Sequence, residues 1–339
     1  MIKKLIVIWL CCVLALTGCA DSGPQITVYE KTYLDYFDTV TVLKGAAESQ
    51  TDFDDAAALV AAELERYHKL FDIYNDYEGL NNLKTVNDMA GVTPVEVDAA
   101  IIALLTDCRC YYELTGGKVN AAMGGVLKLW HEARNQGLYD PAHAELPDMA
   151  ALEQAAMHTD FDSIDIDEAA CTVYISDPLV QLDVGAVAKG WAAQCVSEQL
   201  PTGMLLSLGG NVCATGPKAE NTPWVIGVQN PAGEGYLNTL NVIVGSFVTS
   251  GDYQRTYRVN GVDYHHIIDP QTLMPSRHWR SVTVICDDSG LADALSTALF
   301  LLPQAEGQAL LDQCGAVAMW VDGNGISYYS SGFEAYIRT

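Results

Sequence analysis

The spacing of apolar and polar positions changes along this chain, and each change marks a different kind of element. Residues 5–16 form an apolar run, preceded by Lys3 and Lys4 and followed by Leu16-Thr17-Gly18-Cys19. The run is too short to span a bilayer as a permanent helix, and its layout is that of a secretory signal. Residues 26–43 alternate and are rich in Thr, Tyr and Val, which predicts two strands or one bent strand. Over residues 53–73, Ala57, Val60, Ala61, Leu64, Tyr67, Leu70 and Phe71 recur at helical spacing with acidic residues between them, which predicts an amphipathic helix. An Asn-, Asp- and Gly-rich stretch predicts a loop over 75–91. A second helix is predicted over 97–114, stopped by Gly116-Gly117, and a third over 121–134. Residues 136–162 are polar and carry Pro141 and Pro147, the pattern of a surface excursion. A strand over 172–175 and a helix over 185–199, opening on small residues, complete the first half.

After Met204 the pattern turns to strands, predicted over 204–208, 224–228, 237–244, 246–249, 254–259, 264–268 and 281–286. A helix around Asp293, another over 304–314, and a hairpin of 316–321 and 325–329 about Asp322-Gly323-Asn324 close the chain. Helices gather in the first half and antiparallel-looking strands in the second, which argues an α+β fold. No linker and no internal repeat divides residues 26–339, so they are read as one body following residues 1–18 (signal) and 19–25 (tether).

Composition narrows the role. The formal charge is −25, and near −27 once Lys3 and Lys4 leave with the signal. A body that acidic does not bind nucleic acid or anionic lipid through its general field. Any phosphate site must then rest on a metal, backbone amides or a single lysine. Of ten cysteines, Cys11 and Cys12 belong to the signal and Cys19 follows Leu-Thr-Gly. The other seven cannot all pair, lack a Cys-x-x-Cys pattern, and read mostly as small buried hydrophobes. An exported protein with free thiols points to a low-oxygen environment.

Several short motifs carry chemistry. Asp293 and Thr297 lie four apart in a predicted helix, so a carboxylate and a hydroxyl share one face, an arrangement that suits Mg²⁺. In Asp183-Val-Gly-Ala-Val-Ala-Lys189-Gly190, small residues join a strand to a helix start, where anions are favoured and Lys189 could reach a phosphate. It is not a Walker loop, and a lysine there is also commonly solvated. Gly209-Gly210-Asn211 and Thr249-Ser250-Gly251-Asp252-Tyr253 each follow a strand and read equally as tight turns or as ligand-facing loops. In His265-His266-Ile-Ile-Asp269-Pro270, a histidine offers a proton acceptor that Asp269 could orient. Tyr74, near Asn81, Asn82 and Asn87, offers a ring that could stack on a heteroaromatic or simply pack.

In sequence order, Phe37-Asp38-Thr39-Val40, Phe71-Asp-Ile-Tyr74, Thr115-Gly-Gly117, Asp183-x-Gly-x-x-Ala-Lys-Gly190, Gly209-Gly210, Thr249-Ser-Gly-Asp-Tyr253, His266-Ile-Ile-Asp-Pro270 and Ala292-Asp-Ala-Leu-Ser-Thr297 resemble the ApbE family of FAD:protein FMN transferases. The resemblance spans about residues 30–330. It implies a two-lobed α+β catalytic domain with an FAD cleft between the lobes. It also implies Mg²⁺-dependent transfer of the FMN half of FAD to a threonine hydroxyl of an exported FMN-binding-domain protein, with AMP released. By motif, Asp293, Thr297 and the Ala186 carbonyl would hold Mg²⁺, and Lys189 and the amides near Gly190 would face the FAD phosphates. His266 would take the acceptor proton. Thr249, Ser250, Gly251, Gly209 and Gly210 would line the site, with Tyr74 near the flavin. The Leu-Thr-Gly-Cys19 segment resembles a lipoprotein box, implying a lipid anchor on Cys19 and a place on the extracytoplasmic face of the cell membrane. Two departures stand out. Where many relatives read Phe-Asp-Pro-Thr, this chain has Val119-Asn120-Ala121-Ala122, and where they often read Asp-Pro-Arg-Thr-Gly it has Asp269-Pro270-Gln271-Thr272-Leu273.

Three other functions fit parts of this pattern. An FAD pyrophosphatase would use the same site with water as acceptor. A non-catalytic FAD-binding lipoprotein would have no use for His266 as a base. A lipoprotein capturing another solute would not account for the ordered motifs.

Overall fold

The computed structural model describes residues 27–339; the signal, Cys19 and the tether lie outside the described residues. The elements, in chain order, begin with β1 (Thr27–Tyr36), β2 (Thr39–Ala47), α1 (Gln50–Phe71), α2 (Leu83–Asp88), β3 (Val95–Glu96), α3 (Ala99–Leu114), α4 (Gly124–Tyr139) and α5 (Met149–Ala156). There follow β4 (Ile164–Asp167), β5 (Thr172–Ile175), α6 (Ala188–Ser197), β6 (Met204–Leu208), β7 (Asn211–Ala214), β8 (Trp224–Gln229), β9 (Tyr236–Val242) and β10 (Gly245–Gly251). The chain ends with β11 (Tyr257–Val259), β12 (Val262–Tyr264), β13 (Ser281–Cys286), α7 (Ser289–Leu301), α8 (Gln304–Cys314), β14 (Val317–Val321) and β15 (Ser327–Tyr329).

One eight-stranded sheet, in the order β1-β2-β6-β7-β10-β13-β14-β15, organises the molecule, and all its neighbours are antiparallel. Its central strands are apolar on both faces because both faces are covered. Leu206, Cys213, Val248, Val284 and Trp320 join the core built with α1, α3, α6, α7 and α8. Their neighbours Leu205, Val212, Phe247, Ile285 and Val321 pack the other way, against Trp224, Val228, Leu240 and Val242 of the β8–β9 hairpin. The period of two along each strand thus divides adjacent residues between two cores. A third cluster joins Trp130 of α4 and Leu152 of α5 to Tyr257, Val259, Ile268 and Leu273.

The mixed helix-and-sheet class is as the sequence argued. β5 and β13 have the predicted bounds, and a turn at Phe37 and Asp38, both at positive φ, makes two strands of 26–43. Four local expectations fail. The predicted loop at 75–91 contains α2, whose cap Asn82 is fully buried and donates to Lys69 O and Asn75 O. The polar excursion holds the end of α4 and all of α5, capped by Asp148. The strand predicted over 264–268 ends at Tyr264, because His265 accepts from the Ile267 amide and hydrogen-bonds Ser276 O, competing with a ladder. Finally, the seven cysteines from Cys108 onward are free, but only Cys108 and Cys213 are buried and Cys110 is exposed. No helix among the described residues is long and apolar enough to cross a membrane.

Candidate active site

A cleft opens beside the main sheet and gathers most of the predicted chemistry. Its lining includes Ala186, Lys189, Gly209, Thr249, Ser250, Gly251, His266, Asp293 and Thr297, which come from separate parts of the chain. Gly190, Gly210 and Tyr74 lie outside that lining.

The Asp293 wall is built by α6, α7 and the β6–β7 hairpin. Asp288 caps α7 by accepting from the Leu291 amide, and the helix is buried on nearly every side. Helical spacing then stacks Thr297 one turn after Asp293. Gly190 lets α6 come close, since a Cβ there would collide with Ser289 O and Asp293 Cβ. The Gly190 amide donates to Asp293 Oδ2 at 2.8 Å, so this amide is committed to the carboxylate rather than left for a phosphate. On the other side Gly209 and Gly210, at φ 58° and 96°, make the two-residue turn that pairs Leu208 with Asn211. Asn211 is 2% exposed and donates Nδ2 to the same Asp293 Oδ2 at 2.7 Å. Lys189 Nζ lies 3.9 Å from that oxygen. Burial raises the Asp293 pKa, while Lys189, the Gly190 amide and Asn211 oppose the shift.

These residues fit a magnesium ion. Ala186 O, Thr297 Oγ1 and the Asp293 carboxylate are all hard oxygen donors. Both donors to Asp293 use Oδ2, and no hydrogen bond among the described residues uses Oδ1 or Thr297 Oγ1. The described residues hold no cluster of three or more His, Cys, Asp or Glu side chains suited to a metal. A single carboxylate suits an ion that takes its remaining oxygens from substrate phosphates and water.

Another wall of the same cleft carries His266. Its Nδ1 is buried with no hydrogen-bond partner among the described residues. Burial pushes its pKa down to about 3, helped by the positive charges of Arg255 and Lys189. The imidazole is therefore neutral at neutral pH. Asp269 does not orient it: that carboxylate takes Lys118 Nζ at 3.3 Å and the Gln271 amide at 2.7 Å. Lys118 also donates to Gln271 Oε1 at 3.3 Å, so a lysine from the double-glycine segment fills the neighbourhood where the family pattern has an arginine. Leu273, in the usual glycine place, sits at φ 58° and is retained by the third apolar cluster. The adjacent His265 is structural, locked by Ser276 O and the Ile267 amide, and burial pushes its pKa to about 4. Asn120 lines the cleft, yet its side chain is spent on Thr159 O and the Ala122 amide.

Tyr74 is 61% exposed and shares a 2.7 Å hydrogen bond with His131 Nδ1, and His131 does line the cleft. The sequence assigns no role of their own to Lys118, His131, Asp183, Asn211 and Arg255, all in the lining. Lys118 directly follows a singled-out motif, Asn211 ends another and Asp183 opens a third, so these three had a local signal; His131 and Arg255 had only their neighbours in space.

The chain matches the ApbE family over residues 26–320. It is 36% identical over 249 residues to the FAD:protein FMN transferase of Treponema pallidum, covering 68% of this chain and 67% of that one. To an FAD:protein FMN transferase of Klebsiella pneumoniae it is 30% identical over 259 residues, covering 72% and 78%. The crystal structure of the ApbE protein of Thermotoga maritima superposes with a TM-score of 0.82 at 28% identity, covering 92% of this chain and all of that one. The Vibrio cholerae flavin transferase ApbE, at 20% identity and a TM-score of 0.77, shares the fold. With its Lys189, Thr249, His266 and Asp293 motifs gathered on one cleft and its fold shared along nearly the whole described length, this chain is an enzyme belonging to the ApbE family.

Proposed function

We propose that this enzyme transfers the FMN moiety of FAD to a threonine hydroxyl of an exported target protein, with Mg²⁺, releasing AMP. The observation that carries this reading is the convergence of Ala186, Lys189, Asp293, Thr297 and His266 on one cleft. Asp293, Thr297 and the Ala186 carbonyl hold the ion, which when bound neutralises charge on the pyrophosphate oxygens. Lys189 adds a fixed positive charge on the same wall. Thr249, Ser250 and Gly251 also line the cleft. The acceptor hydroxyl oxygen forms a bond to the FMN phosphorus, and the bond from that phosphorus to the bridging oxygen breaks. AMP departs with the electrons of that bond, and the hydroxyl proton passes to His266. His266 enters this step neutral, with the free valence a proton needs. An anionic substrate beside it offsets Arg255 and Lys189, raising its proton affinity as the reaction begins.

The N-terminal pattern supports a lipid anchor on Cys19 and an extracytoplasmic membrane location, where exported FMN-binding domains would be met. The test is to incubate the mature protein with FAD and Mg²⁺, with and without an FMN-binding domain carrying an acceptor threonine, and to weigh the acceptor by intact mass spectrometry. A gain of one FMN with AMP released is expected. FMN and AMP free in solution beside an unmodified acceptor would instead make the enzyme a pyrophosphatase.

A further inference from the structure

Asn211 is a buried polar side chain that makes one strong contact inside the cleft, and the family resemblance gives it no role. Its position is set by backbone chemistry. The Gly209–Gly210 turn fixes the pairing of β6 with β7, and β7 packs on α6 and α7. Asn211, the first residue of β7, thereby meets Asp293 although 82 residues separate them in sequence.

The geometry at Asp293 is asymmetric. Oδ2 receives Asn211 Nδ2 at 2.7 Å and the Gly190 amide at 2.8 Å, with Lys189 Nζ at 3.9 Å. Oδ1 receives no hydrogen bond among the described residues. A carboxylate held through one oxygen by two rigid donors has little freedom to rotate about its Cβ–Cγ bond. Carboxylates that bind metals are commonly fixed in this way by groups that never touch the ion, and losing such a group typically weakens metal affinity 10–100-fold.

We infer that Asn211 is a positioning residue: it locks Oδ2 of Asp293 so that Oδ1, with Thr297 Oγ1 and Ala186 O, faces a divalent cation. This rests on the magnesium reading above. It differs from a packing role, because an Asn211 that merely filled space would affect stability without selecting the cation step. The Gly190 amide performs the same task from the other side, so loss of Asn211 loosens the carboxylate without freeing it completely.

The experiment compares the full chain with Asn211→Leu, which keeps the shape and removes the donor. Mg²⁺ is titrated by calorimetry into each FAD-loaded protein, FAD affinity is measured separately without metal, and metal-free thermal melts check folding. Mg²⁺ affinity 10–100-fold weaker in Asn211→Leu, with metal-free FAD affinity within about twofold of the parent, is the expected result. Unchanged Mg²⁺ affinity would overturn the inference. Loss of FAD and Mg²⁺ binding together would make Asn211 structural and overturn it as well. A parent chain that binds no Mg²⁺ with FAD present would remove the magnesium reading and this inference with it. If Asn211→Leu does not fold, Asn211→Ser, too short to reach Oδ2, is judged by the same results.

Discussion

The two walls of the cleft each carry an ionisable side chain, Asp293 buried and His266 half-buried, and they treat it in opposite ways. Asp293 is surrounded by donors: an asparagine, a backbone amide and a lysine converge on one of its oxygens. His266 is surrounded by cations and lacks a partner at Nδ1. A buried charge with satisfied hydrogen bonds is held still, which suits a group that must keep an ion in one place. A neutral imidazole whose buried Nδ1 has no partner is costly to leave alone, and that cost is tolerable where a proton arrives during the reaction. One wall is built to hold and the other to change state.

The largest expected effect breaks the holding wall. Asp293→Ala removes the carboxylate proposed to hold the ion. It should lower Mg²⁺-dependent turnover by at least on the order of 10³-fold, the upper end for loss of a charge-stabilising group. Near-parental AMP release from FAD across a Mg²⁺ titration would mean that the ion is held elsewhere.

Next comes the wall that changes state. His266→Ala should leave FAD affinity nearly unchanged and slow transfer by roughly 10² to 10⁴, the usual contribution of a positioned base. Fluorescence titration with FAD and a single-turnover assay separate the two quantities. A collapse of FAD binding would turn His266 into a binding residue and erase the contrast between the walls.

How much of this contrast was legible beforehand depends on distance along the chain. The Asp293–Thr297 pair was visible because both partners sit on one helix with a fixed repeat. The donors to Asp293 were not, since Gly190 and Asn211 lie 103 and 82 residues away and meet it only through the α6–α7 approach and the β6–β7 turn. The wrong partner for His266 has a similar origin. Asp269 is three residues on and carries the right chemistry, but Lys118, 151 residues distant, claims it. The missed α2 depends on Asn82 reaching the carbonyls of Lys69 and Asn75, again a tertiary matter. The main strands, by contrast, declared themselves through β-branched and apolar runs buried on both faces.

A smaller effect sharpens the comparison through pH. His265 and His266 both have folded pKa values pushed below the ordinary 6.5, to about 4 and about 3. Above pH 6.5 both are neutral in the folded and unfolded chain and contribute no pH dependence. As pH falls below 6.5 the unfolded chain takes up protons that the folded chain refuses, so stability drops until the folded values are reached. By pH 4 each should have removed on the order of 3 kcal/mol. Denaturant melts between pH 7 and pH 4 measure this directly, and His266→Gln should show a shallower loss than the parent. An identical pH dependence in that variant would show that His266 is not buried as a neutral group.

The smallest expected effect lies at the rim, where neither logic applies. Tyr74 is mostly exposed, and its hydroxyl meets His131 at 2.7 Å. Partial desolvation of its hydroxyl, and then the negative charge of Asp183, raise its pKa to about 12, so it is a neutral phenol at neutral pH. Tyr74→Phe removes one solvent-accessible hydrogen bond, worth about 1 kcal/mol or less, and should change FAD affinity by less than about fivefold. Tyr74→Ala removes the ring as well. If the ring packs on the flavin, affinity should fall by up to about a further tenfold, the scale of an aromatic contact. Equal affinities for the Phe and Ala variants would place Tyr74 outside the flavin's reach, leaving its bond to His131 as its only link to the cleft. The ordering of these effects follows from burial: a group fixed by several buried donors loses most when removed, and a half-solvated one loses least, because water replaces its partner.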